Sequence, residues 1–265
     1  MDARIINALT SLLLVFLSSC TLQEEAALVL PQGKDSYFVE AYLTPDAPLR
    51  LSLSRTNNFQ DDLSLRLVWY ASAFVSTPDT SMQLSNFFYR DAKGGKLFNY
   101  ANAYKLPHNM SSGDSISIRI ISESLQDTLY AATAVVAPVQ IEEWKLQNNL
   151  LQLWCNNGAD AANRYFAVYV ESSKGDAELR KTYYYNYTSI ADEQLSISLQ
   201  LNEEEQLNKV ILYRITEANY HFQLALQQAS KSNIDPFEPP VALPSNIRGG
   251  QGIFTYCTTD TLSLL

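Results

Sequence analysis

The chain has 265 residues, enough for one large domain or two small ones, and a formal charge of -9 with no block of Lys or Arg to track a phosphate backbone. That balance argues against nucleic acid as a partner. Abundant Tyr, Phe, Val, Ile, Leu, Ser and Thr, in short apolar stretches separated by polar turns, favours sheet over helix.

The first expected element is a targeting segment. Leu12-Leu13-Leu14-Val15-Phe16-Leu17 is too brief to span a bilayer comfortably and closes in Ser18-Ser19-Cys20. A transmembrane helix and a buried core helix fit such a run less well than a secretory signal does, although its positive start is weak: Arg4 and the amino terminus stand against Asp2. Leu17-Ser18-Ser19-Cys20 resembles the bacterial lipobox. On that reading residues 1–19 are a signal peptide, Cys20 is lipidated and becomes the mature N-terminus, and residues 20–34 are a tether. Glu24 and Glu25 then resemble the acidic export signal of Bacteroidota-type lipoproteins, with a solvated linker as the plainer alternative. The protein is accordingly expected to be lipid-anchored in an outer membrane, facing the cell surface.

Alternating strands follow. Tyr37–Leu43 and Leu49–Ser54 flank a Thr44-Pro45-Asp46 turn, and Leu65–Tyr70, Ser85–Tyr89, Ser115–Ile120 and Thr128–Thr133 continue the pattern. No motif can be placed over most of the stretch from Phe59 to Lys105. Strands at this spacing without helices predict a β-sandwich, immunoglobulin- or transthyretin-like, over residues 35–137. Past Pro138 the pattern restarts with Val139–Ile141, Leu151–Cys155, Arg164–Val170, Tyr183–Tyr187, Leu195–Leu199 and Val210–Ile215. A second, fibronectin-like sandwich is expected over 138–265, interrupted by one helix at 217–229 with Thr216 as N-cap. The fold class is thus all-β, two tandem β-sandwiches with one helix in the second. A Pro/Gly-rich strap at 235–250 leads into a final strand.

Residues at both ends carry a family resemblance. Val39-Glu40-Ala41-Tyr42-Leu43 and Leu51-Ser52-Leu53-Ser54-Arg55, with Asp235-Pro236-Phe237-Glu238-Pro239-Pro240, Pro244-Ser245-Asn246-Ile247-Arg248-Gly249-Gly250 and Gly252-Ile253-Phe254-Thr255-Tyr256, resemble an uncharacterised envelope lipoprotein family, domain of unknown function 4249. The resemblance implies an envelope lipoprotein found beside TonB-dependent outer-membrane transporters, and it brings no catalytic residues.

Chemistry is sparse in the sequence. His108 and His221 lack metal-ligand spacing, no phosphate-binding or nucleophile-elbow motif is present, and neither metal nor cofactor is expected. Asp61-Asp62 and Glu203-Glu204-Glu205 qualify as glycosidase carboxylates by residue type alone and read more simply as solvated turns. Cys155 and Cys257 lack CxxC spacing and leave two alternatives open, a disulfide or two buried thiols. Asp114-Ser115-Ile116, Asp127-Thr128-Leu129 and Asp260-Thr261-Leu262 resemble an O-glycosylation acceptor pattern that also arises by chance.

In the run Tyr183-Tyr184-Tyr185-Asn186-Tyr187, a strand would turn Tyr183, Tyr185 and Tyr187 to one side and Tyr184 to the other, giving a core face and an aromatic platform for sugars or a protein. The expected partner contacts are Tyr184, Phe237 and Ile247. These readings favour a non-catalytic surface lipoprotein, an accessory or ligand-binding partner of a TonB-dependent transporter. The alternatives are a surface glycan- or peptide-hydrolase and an adhesin or filament component.

Overall fold

The structure is a computed structural model that describes residues 36–56, 64–91, 95–122, 128–156, 164–175, 177–188, 194–202, 204–235 and 237–264. Cys20 and the segments before it, with Glu24, Glu25, Asp61, Asp62, Asp127, Glu203 and Pro236, lie outside the described residues. Among those described, the fold is all-β with a single helix, and residues Lys34–Leu265 make one compact unit.

The strands are β1 (Tyr37–Leu43), β2 (Pro48–Arg55), β3 (Arg66–Leu67), β4 (Ser72–Ser76), β5 (Ser81–Arg90), β6 (Leu97–Lys105), β7 (Ser115–Ile121) and β8 (Leu129–Ala134) in the first half. The second half adds β9 (Ile141–Gln147), β10 (Leu150–Asn156), β11 (Tyr165–Lys174), β12 (Ala177–Asn186), β13 (Gln194–Gln200), β14 (Gln206–Ile215), α1 (Glu217–Ser232) and β15 (Gln251–Ser263). A continuous sheet runs β12-β11-β14-β15-β1-β2-β6-β5-β4-β7-β8, with β3 on β2, while β13-β10-β9 form a separate three-stranded sheet.

The seam of the molecule is β15. Its first half pairs parallel with β1, Val39 opposite Gly252 and Leu43 opposite Tyr256, and its second half pairs antiparallel with β14, Ile215 opposite Cys257 and Val210 opposite Leu262. Alternation then decides which face each residue joins. Phe254 and Tyr256 enter a first core with Val39, Ala41 and Leu43 of β1, Leu49, Leu51 and Leu53 of β2, and Ile116, Ile118 and Ile120 of β7. The long sheet folds over on itself to enclose this core, helped by a register shift between Asn86 and Tyr89. Leu262 packs against a second core, in which Phe166, Val168 and Val170 of β11 and Val210 and Leu212 of β14 meet Leu151 and Leu153 of β10 and Leu195, Ile197 and Leu199 of β13. Val136 belongs to the first core and Val139 to the second, and the last strand crosses back and serves both.

Helix α1 covers the opposite face of the sheet. Its N-cap is Thr216, whose side chain accepts from the Asn219 N–H, and it runs beyond 229 to Ser232, with Glu217 in the first turn and Lys231 in the last, each favourable to the helix dipole. Phe222 is buried under it against Phe38 of β1, ring centroids 6.5 Å apart. Cys257, Ile215, Tyr165 and Ala167 form a small cluster on this face, flanked by Tyr184, Tyr213 and Tyr220.

Several sequence expectations change. Leu65–Tyr70 contributes only the two residues of β3, and β4 and β6 arise in the stretch where no motif was legible. Cys155 and Cys257 are both free and buried, one in the second core and the other under the helix, so the disulfide alternative falls away. Ile247, expected as an exposed partner contact, is only 7 % exposed and belongs to the first core. Its burial follows from the strap: the Asn246 amide donates to the Phe254 carbonyl and accepts from its N–H at 2.7 and 3.0 Å, and Arg248 exchanges two backbone hydrogen bonds with Tyr130. Phe237, in contrast, is 94 % exposed.

Candidate functional site

Tyr184 is half-buried, and its environment reveals more than its exposure. As alternation requires, Tyr183, Tyr185 and Tyr187 lean on the second core while Tyr184 points to the helix face. There it lines a concave groove of about 520 Å³, a volume in the range of small-molecule sites. The floor of this groove is the helix face of the continuous sheet, and it draws on both halves of the molecule. β1 supplies Tyr42, β11 Ala167 and Tyr169, β12 Thr182 and Tyr184, and β14 Tyr213. Arg50, Lys96 and Phe98 close one side and Asn219 and Gln223 of α1 the other.

A chain of hydrogen bonds ties the halves together across the groove. Tyr42 Oη donates to Glu40 at 2.7 Å, Gln223 Nε2 donates to Tyr42 Oη at 3.1 Å, and Tyr184 Oη donates to Gln223 Oε1 at 3.3 Å. Gln223 is held in turn by Asn219 Oδ1. Lys96 Nζ lies 3.7 Å from the centroid of the Tyr42 ring and 2.7 Å from the Glu40 carboxylate, so its charge is matched locally. Arg50 stacks on Tyr89 at 4.0 Å.

Burial raises the phenol pKa values here. Tyr42 is held far above the ordinary tyrosine value, by desolvation first and by the adjoining Glu40 charge second. Desolvation pushes Tyr213 up to about 12 and also raises Tyr184 and Tyr169. All four are neutral hydroxyl groups at physiological pH. Cys257, under the same floor, is likewise raised by desolvation to about 12, which makes it a protonated, inert thiol.

The register sets the shape of the floor. Ala167 of β11 stands directly opposite Tyr184 of β12 on one side and Tyr213 of β14 on the other. Ala167 is only 4 % exposed, and both phenols pack against the small cluster to which it belongs. Neither Tyr184 nor Tyr213 makes a ring–ring contact among the described residues, in contrast to the stacked pair Tyr185–Tyr187. Tyr169 and Tyr213 also have no hydrogen-bond partner for their hydroxyls among the described residues, which leaves these two donors open to solvent or to a ligand in the groove.

The sequence singled out Tyr184 and missed Tyr42, Tyr169, Tyr213, Lys96 and Gln223. A usable signal existed: Tyr42, Tyr169 and Tyr213 occupy the outward positions of their strands, where a solvent-facing sheet would carry small polar residues. A second cavity of about 490 Å³ lies at the junction of the halves near Asp46, His108 and Asp260. It contains the exposed His108–Asp46 pair at 3.1 Å, and Asp260 Oδ2 is occupied by the Ile141 N–H. Among the described residues no group of three His, Cys, Asp or Glu side chains is arranged to hold a metal. Of the acidic run, Glu205 is buried and bonded to Lys181, Ser172 and Asn202, a structural role.

The model of the family described as Domain of unknown function (DUF4249) matches residues 23–263. No curated protein matches the chain.

Proposed function

The chain belongs to the DUF4249 family, and from that premise we propose that it is a non-catalytic, lipid-anchored envelope protein that binds a small ligand in the tyrosine-lined groove and works beside an outer-membrane TonB-dependent transporter. One observation carries the ligand-binding part: the groove is floored by both halves of the molecule and offers unengaged phenol hydroxyls beside an ordered polar network. A packed core would have filled this space with Leu or Val, as the opposite face of the same strands does. The anchor rests on Leu17-Ser18-Ser19-Cys20, and the transporter on the lipid tether, which raises the effective concentration of any membrane partner.

The test is purification from membranes in a mild detergent. The wild-type protein is expected to carry a lipid at Cys20 and to bring an outer-membrane β-barrel with it, and Cys20→Ala is expected to leave the membrane fraction with its thermal unfolding unchanged. A Cys20→Ala variant that stays membrane-bound in high salt would remove the anchor. Recovery of wild type as a lone monomer that hydrolyses an envelope glycan would replace the accessory reading with the hydrolase.

A further inference from the structure

We infer that β9 is a dimerisation edge, at which two copies of the chain pair antiparallel about a two-fold axis through Trp144. β9 ends the sheet β13-β10-β9, and among the described residues no strand pairs with its outer side. The hairpin decides which backbone groups face outward. Asn148 and Asn149, with φ of 52° and 60°, are the left-handed pair of a type I′ turn, so the closing residues Gln147 and Leu150 exchange hydrogen bonds. Alternation then directs the N–H and C=O of Lys145 to β10 and those of Trp144 and Leu146 outward. At the far end the Ile141 N–H is taken by Asp260, and a register shift beside Cys155 ends the regular edge.

Apolar exposure singles this edge out. The other edge of the same sheet, β13, buries Leu195, Ile197 and Leu199, and β8, at one end of the continuous sheet, is met by the strap through Arg248 and Tyr130. On β9, Trp144 and Leu146 are each 42 % exposed, although Leu153 and Leu151, directly across from them on β10, are fully buried. An edge of this kind is a template for another strand. Pairing through Trp144 joins two three-stranded sheets into one of six and sets the two indoles side by side at the axis.

Charge selects the second copy as the occupant and fixes its register. Glu143 and Lys145 are both exposed and flank Trp144 on one face of the strand. With Trp144 opposite its own copy, each Glu143 stands opposite the other copy's Lys145, and symmetry makes that pair twice. The competing register, Trp144 opposite Leu146, sets Lys145 against Lys145, and like charges directly opposite are destabilising. The edge is therefore complementary to itself in one register.

The experiment uses the purified full chain in mild detergent, with single cysteines introduced on β9 and copper phenanthroline as oxidant. Cys155 and Cys257 are buried, protonated thiols, and the wild type is the control for any link through Cys20. Trp144→Cys is expected to form a disulfide-linked dimer. The Cα atoms of a hydrogen-bonded antiparallel pair lie about 5.5 Å apart, inside the span of about 4.4–6.8 Å that a disulfide bridges. Leu146→Cys sits about 14 Å along the strands from its own copy and should link at least about 10-fold less. Adding Lys145→Glu to Trp144→Cys should abolish the link, and adding Glu143→Lys as well should restore it. Light scattering should give the wild type twice the monomer mass and Lys145→Glu the monomer mass, with thermal unfolding as the check that each variant is folded. Linking of Leu146→Cys as readily as Trp144→Cys, or a link from Trp144→Cys to a protein of another mass, would overturn the paired edge. A wild type of monomer mass, or a dimer that Lys145→Glu leaves intact, would do the same.

Discussion

The two faces of the continuous sheet are built from the same strands and solve different problems. On the core face β1, β11 and β14 present Val39, Ala41, Leu43, Phe166, Val168, Val170, Val210 and Leu212, all sealed by a second layer. On the helix face the alternate residues include Glu40, Tyr42, Tyr169 and Tyr213, and the helix covers only part of them. A closed face requires only apolar volume of the right shape. An open face that still binds its own side chains to one another requires residues with a flat apolar body and a polar tip, which is why tyrosine recurs there. The comparison separates stability from function: substitutions on the first face should unfold the protein, and substitutions on the second should leave it folded.

The harshest way to break both faces at once is to break the seam that joins the two halves of the sheet. Gly252 has φ +114°, and a Cβ there would lie 2.0 Å from the Val39 carbonyl oxygen. Gly252→Ala should therefore separate β15 from β1 and cost about 4 kcal/mol or more, read as a loss of soluble folded protein or a large fall in the urea midpoint. Gly113→Ala is the matched control, with φ +93° but nothing within 4 Å of its Cβ, and should cost about 1–2 kcal/mol of backbone strain only.

Asn99 is fully buried and works as a rung of the sheet, accepting from the Leu53 N–H at 2.7 Å and donating to the Leu53 and Val68 carbonyls at 3.0 and 2.6 Å. Asn99→Leu removes all three and should lower stability by about 3 kcal/mol in urea unfolding with no change in slope.

Asn99 also explains part of what the sequence concealed. Strands with clean alternation, such as Leu49–Ser54 and Leu195–Leu199, were legible because their inward residues are all apolar. β6 was not: the buried amide of Asn99 sits beside buried Phe98 and Tyr100 and erases the period of two. The second half of β15 was hidden by Thr258, Thr259 and Asp260, polar residues whose sites are satisfied elsewhere, as Thr258 donating to the Ala137 carbonyl illustrates. The groove was legible only as one tyrosine, Tyr184, because its opposite wall, Tyr213, and its lock, Tyr42 to Gln223, are joined by strand register and helix placement. Neither is a property of any local stretch. The Pro/Gly-rich strap was legible as a backbone feature leading into the final strand, and its residues from Asn246 on dock it to the first core.

An ion pair near the edge of the second core gives a smaller effect with a sign. Hydrogen bonding from Lys181, with further bonds from Asn202 and Ser172, holds the Glu205 carboxyl below its ordinary value of 4.5. Its contribution is therefore present above about pH 4.5 and lost as pH falls through the lower folded value. Glu205→Gln should cost about 1–3 kcal/mol at pH 7. Plotted against pH, the wild-type advantage over the variant should shrink on acidification below about pH 4.5. A constant gap would mean that the carboxylate charge contributes nothing.

The smallest expected change is the sharpest test of the two-face comparison, because the same substitution is made on each face. Tyr100 is fully buried on the core face and its hydroxyl accepts from the Ala71 N–H at 3.1 Å. Tyr100→Phe leaves that N–H without this acceptor and should cost about 1–2 kcal/mol. Tyr213 on the groove face has a hydroxyl with no partner among the described residues, so Tyr213→Phe removes a group that the folded chain does not use. Its urea midpoint should stay within about 0.5 kcal/mol of wild type. Equal losses from the two substitutions would mean that the Tyr213 hydroxyl is engaged within the fold, and the groove would then keep only the Tyr169 hydroxyl as a phenol without a partner among the described residues.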